Sequence, residues 1–112
     1  MVSVRKSIET KDLDAFTAVL ADDVVWIGLW PGELCRNRAQ VVAILERARA
    51  AGRQMSPEVV LERENMLVVD PHLPDSERHQ IFMLDEGLVS EIRAYPDRAG
   101  AVAAFEAVEA MQ

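Results

Sequence analysis

Residues 78–84 and 88–95 stand on either side of Asp85-Glu86-Gly87, and no other feature of the chain restricts its fold as much. A reversal of three residues ending in glycine is too short for a crossover connection, so the two arms must pair antiparallel as a hairpin. Two shorter strands precede it, over residues 59–62 and 66–70, turning at Glu64 and Asn65. Upstream the pattern changes. Residues 2–10 read as a first helix carrying Val4 and Ile8, and Asp12 can cap a second, whose Leu13, Phe16, Val19 and Leu20 repeat at helical spacing as far as Asp22. Residues 24–30 are apolar and rich in β-branched and aromatic side chains, as in a strand buried on both faces, and Pro31-Gly32 stops it. Asn37 opens a third helix, with Gln40 placed for a capping-box-like pair and an apolar stripe of Val41, Ile44, Leu45 and Ala48. Arg47, Arg49 and Gly52 mark its end. Pro96-Asp97 begins a last helix with Val102, Phe105 and Val108 on one face.

Helices followed by paired strands exclude a βαβ pattern and predict the α+β class, with helices packed on one curved, mostly antiparallel sheet. No repeat or linker interrupts the 112 residues, so a single domain over 1–112 is expected. Nineteen acidic residues against twelve basic give a formal charge of −7, which opposes binding to nucleic acid or to anionic membranes. The longest uncharged apolar run, residues 24–32, falls well short of the roughly 20 residues that span a bilayer. Arg5, Lys6, Glu9 and Lys11 break up the apolar region a signal peptide needs, and the expected location is the cytoplasm. The single cysteine, Cys35, has no internal partner for a disulfide.

Residues with reactive side chains are few. Adjacent Asp22 and Asp23 fall at the expected helix end, where a solvated turn explains them. His72 and His79, seven apart across a proline-containing loop, match no zinc signature, so no metal and no cofactor is expected. His79 is the one candidate general base, because histidine titrates near neutrality and a strand can point it into a cavity. Cys35 lacks a neighbouring base and reads as a packing residue.

The segments Lys11-Asp12-Leu13-Asp14 and Leu20-Ala21-Asp22-Asp23-Val24-Val25-Trp26 resemble the opening of nuclear transport factor 2-like domains. The stretch Arg78-His79-Gln80-Ile81-Phe82-Met83-Leu84-Asp85-Glu86-Gly87-Leu88-Val89-Ser90-Glu91-Ile92-Arg93-Ala94-Tyr95-Pro96-Asp97-Arg98-Ala99 resembles the closing hairpin of SnoaL-like members. The resemblance implies a cone-like sheet wrapped around the N-terminal helices, an apolar cavity for a small hydrophobic molecule, and a homodimer. The family includes ketosteroid isomerase, polyketide cyclases, scytalone dehydratase, limonene epoxide hydrolase and proteins without catalysis. Ketosteroid isomerase uses a tyrosine, an aspartate base and a protonated acid. An ungapped match places these on Val4, Gly28 and Gln80, with His79 an alternative to Gln80, so none of the three groups is present. The same match turns Phe16, Trp26, Gly28, Trp30, Gln80, Phe82, Leu84 and Ile92 toward the cavity. It sets Leu88, Ser90, Ile92 and Ala94 inward and Val89, Glu91, Arg93 and Tyr95 outward. A slip of one residue would exchange these faces and bury Glu91.

Overall fold

The structure, a computed structural model, describes residues 4–10, 13–29, 32, 34–52, 57–72 and 77–110, with side chains as far as Ala107. The elements are α1 (Val4–Glu9), α2 (Leu13–Ala18), β1 (Leu20–Ile27), β2 (Leu34–Cys35), α3 (Arg38–Ala50), β3 (Glu58–Arg63), β4 (Met66–Asp70), β5 (His79–Asp85), β6 (Leu88–Tyr95) and α4 (Arg98–Ala110). The strands form one six-stranded sheet in the order β2-β1-β6-β5-β4-β3. Strands β1 and β6 run parallel, and the other neighbours pair antiparallel. Register shifts in the β1–β6, β3–β4 and β5–β6 pairings bend the sheet, since an extra residue in one strand raises its local twist. Among the described residues no helix is long and apolar enough to cross a membrane.

The two faces of the sheet carry separate cores. On the inner face, Val4 and Ile8 of α1 and Val41 of α3 meet Val24, Leu67, Val69, Phe82, Val89 and Ile92. On the outer face, Ala101 and Phe105 of α4 meet Met66, Val68 and Ile81. Val24, Val41 and Ile92 are each at most 1% exposed, and such burial stabilises by about 1.5–3 kcal/mol per side chain. The Arg5 guanidinium ties α1 to β3 through Glu62 at 2.7 Å. Arg63 lies over the Phe105 ring, 4.1 Å from its centroid, and fixes α4 to the same strand.

Three expectations need correction. The second helix ends at Ala18 rather than near Asp22, because the Val19 carbonyl accepts from Val89 N–H at 2.8 Å and the chain enters β1 at Leu20. Asp22 and Asp23 are therefore exposed strand residues, and Asp22 pairs with Arg38 at 2.6 Å. On α3 the buried stripe includes Val42 with Val41 and Leu45, which leaves Ile44 exposed. In β6, Met83 pairs with Glu91 but Leu84 pairs with Val89, so Ser90 is the extra residue, and its hydroxyl donates to the Met83 carbonyl at 3.2 Å. That bulge turns Val89 inward beside Ile92 and leaves Leu88 exposed. Glu91 and Arg93 stay on the outer face, 3.7 Å apart.

Other local signals act as read. Asn37 Oδ1 accepts from Gln40 N–H at 2.9 Å, and Gln40 Oε1 accepts in turn from Arg36 N–H at 2.6 Å. Gly52 follows the α3 C-cap at φ +75°, a conformation glycine adopts freely.

Candidate functional site

The register aligns one apolar row across the inner face: Leu67, Phe82, Ile92, Trp26 and Cys35 stand abreast on β4, β5, β6, β1 and β2. Phe16 of α2 closes on this row, its ring centroid 5.9 Å from that of Phe82 at an interplanar angle of 51°. Gln80, two residues before Phe82 and opposite Ala94, shares that face and is half-buried. Trp26 packs against the same core while partly exposed, and Gly28 follows the end of β1. The expected inner group is therefore brought together at Phe16, Trp26, Gln80, Phe82 and Ile92; Trp30 lies outside the described residues. Cys35, at the far end of the row, is 4% exposed, and burial pushes its thiol up from the ordinary value.

His79 is not part of this group. Alternation along β5 turns it to the α4 side, opposite Tyr95, where it is 5% exposed. There an open cleft of about 460 Å³ is lined by Asp70, His72, Glu77, His79, Asp97 and Arg98. His79 Nδ1 lies 2.7 Å from the Glu77 carbonyl, and its Nε2 lies 3.5 Å from Asp70 Oδ2. The other Asp70 oxygen accepts from His72 N–H at 2.8 Å and holds His72 at φ +52°, a conformation rarely taken by residues other than glycine. Asp97 Oδ1 accepts from Gly100 N–H at 2.7 Å and caps α4.

Among solved structures, an NTF2-like protein of unknown function from Cytophaga hutchinsonii superposes with a TM-score of 0.58 at 13% identity, over 91% of this chain and 96% of its own. A protein with a ketosteroid isomerase-like fold from Catenulispora acidiphila gives 0.58 at 10% identity, over 90% and 87%. The chain has the nuclear transport factor 2-like fold. An LEH-like epoxide hydrolase from M. tuberculosis shares this fold with a TM-score of 0.60 at 15% identity, over 98% of this chain and 92% of its own. No family model matches the chain, and no curated protein matches it. Within the nuclear transport factor 2-like fold, Val4 is buried in the inner core and Gln80 half-buried on the inner face. At these two positions neither side chain is a carboxylic acid or a phenol.

Sequence reasoning missed Asp70, Asp97 and Arg98 as companions of His79. The available signal was the pairing of β4 with β5: Val69 opposite Gln80 puts Asp70 beside His79, and it becomes readable only once the partner strands and their register are known.

Proposed function

We propose that the chain binds a small hydrophobic molecule against the inner face of its sheet and works as a homodimer. The observation that supports binding is the row of Phe82, Ile92 and Trp26 on three adjacent strands, with Phe16 above it and the Gln80 amide beside it. An apolar, aromatic wall with a few placed polar groups is the usual composition of a small-molecule site. The Gln80 amide can donate to or accept from a carbonyl or hydroxyl, but it cannot take a proton at neutral pH. Binding is thus better supported than isomerase, cyclase or dehydratase chemistry. A second reading, a non-catalytic module that fills its own interior, is favoured by the Phe16–Phe82 ring contact.

The dimer is supported by the outer face of β1. Val25 and Ile27 share that face with Glu91 and Arg93, and Leu34 beside Ile27 is 45% exposed, while α4 lies over β4, β5 and β6. A strip of this kind can cover its own copy about a two-fold axis.

Titration of hydrophobic ring compounds against the intrinsic fluorescence of a Trp30→Phe variant, in which Trp26 is the remaining tryptophan, tests the binding reading. A saturable shift that Gly28→Leu abolishes without unfolding is the expected result. A broad panel with no response supports the self-filled module.

A further inference from the structure

We propose that the cleft between β4, β5 and the start of α4 binds a small organic cation bearing N–H groups, a primary ammonium, with Asp70 as counter-charge and His79 as a neutral acceptor. The His79 side chain is 7% exposed, and its two nitrogens differ. A carbonyl oxygen only accepts, so the 2.7 Å contact with Glu77 O places a proton on Nδ1. That leaves Nε2 of the neutral ring a lone pair, which among the described residues has no hydrogen-bond partner. Its 3.5 Å contact with Asp70 Oδ2 faces another acceptor. Buried polar atoms are seldom left this way without a missing partner.

His72 repeats the pattern. Its Nε2 lies 3.0 Å from Glu58 Oε1 and donates there, so Nδ1, 3.5 Å from the same Asp70 oxygen, is again an acceptor in the neutral ring. Two acceptor nitrogens therefore gather at one carboxylate oxygen, which is itself a third acceptor. The wall adds Glu77 and Asp97 against one guanidinium, Arg98, so the charge favours a cation. An anion at the N-terminus of α4 would compete with the Asp97 carboxylate already accepting from Gly100 N–H. Among the described residues no three His, Cys, Asp or Glu side chains are set around one point for a metal ion. An ammonium needs no closed coordination shell, and its donors spread toward separate acceptors.

Titrating the full-length protein with butylammonium chloride, while following the imidazole ¹⁵N and ¹³C resonances, tests the assignment. Saturable shifts at His79 and His72 are expected, with no comparable response to butanol, which lacks the charge, or to tetramethylammonium, which lacks N–H donors. Asp70→Asn should weaken binding about ten- to a hundredfold, as expected for loss of one charge-assisted hydrogen bond. If that variant does not fold, His72→Ala on the exposed side should weaken binding about threefold or more, the loss of a neutral hydrogen bond. The proposal is overturned by an equal response to tetramethylammonium or by unchanged affinity in the variants. It is equally overturned by a free-state His79 spectrum with both nitrogens protonated, since the ring would then donate to Asp70 itself. Micromolar zinc chloride that saturates both rings and excludes butylammonium would make the cleft a metal site instead.

Discussion

Replacing Phe16 by alanine separates an inner face that holds a ligand from one that fills itself. Phe16 is half-buried, and its ring stands on Phe82 at 5.9 Å. Fully buried phenylalanines lose about 3–5 kcal/mol on truncation, so half burial, with the ring pair included, gives about 2 kcal/mol. Unfolding entropy near 2.1 cal/mol/K per residue comes to about 0.24 kcal/mol/K for this length, so the melting temperature should fall by about 8 °C. Differential scanning calorimetry reads this directly. The space left beside Phe82 is apolar, and toluene or indole at ten times its Kd should restore about 1.4 kcal/mol, or about 6 °C. Restoration confined to the variant identifies a self-filled interior; a similar rise in the parent protein identifies an open site. A fall of under about 2 °C would refute the packing argument itself, because a ring seated on Phe82 cannot be removed so cheaply.

Sedimentation velocity at micromolar concentration should give a dimer mass, reduced to the monomer by Leu34→Glu; a monomer in the parent protein would sink the proposed outer-face association. A Δ5-ketosteroid assay should show no turnover above background, and turnover at the level of a known isomerase would mean that the match to Val4, Gly28 and Gln80 is misplaced. At the β5–β6 turn Glu86 has φ +52° and Gly87 φ +81°, with nothing within 4 Å of an added Cβ at Gly87. There Gly87→Ala should cost about 1–2 kcal/mol from backbone strain alone, and Glu86→Asn should gain up to about 1 kcal/mol, with Glu86→Gln as the charge control; a neutral Gly87→Ala counts against the turn. Burial raises the Cys35 thiol in the folded state, so its contribution is fully present below the unfolded thiol's value and lost as pH rises through the folded one. Urea midpoints should therefore stay level to about pH 8 and decline above it, the decline being smaller in Cys35→Ala; identical profiles would remove Cys35 as the cause.

The elements that could be read from the chain are those whose signals are local. The Asn37 cap and the Gly52 stop each depend on residues within one turn and stand where the sequence places them, and the reversal expected at Asp85-Glu86-Gly87 closes one residue tighter, with Asp85 paired to Leu88. The end of α2 was illegible for the opposite reason. Leu13, Phe16, Val19 and Leu20 fit a helix, but the Val19 carbonyl is claimed by Val89, seventy residues away in the chain, and no local pattern reports that bond. The bulge at Ser90 is a similar case. Strict alternation assigns Leu88 inward, whereas one unpaired residue hands the position to Val89.

The inner face and the cleft are built from the same strand, and this explains why His79 was legible as a reactive residue while its setting was not. Along β5, Gln80, Phe82 and Leu84 face α1–α3, and His79, Ile81 and Met83 face α4. An apolar molecule on one side and a cation on the other would thus meet neighbouring residues of one backbone without sharing a side chain. The two faces also differ in how their polar groups are supported. Gln80 stands in an otherwise apolar row, whereas His79 is anchored at Nδ1 by a carbonyl from the chain just before it and flanked by a carboxylate whose other oxygen is already committed to His72. Anchoring of that kind fixes the orientation of a ring, and a fixed acceptor loses little freedom when it takes up a ligand. On that ground the cleft is the better prepared of the two for a polar partner, and the inner face for a purely apolar one.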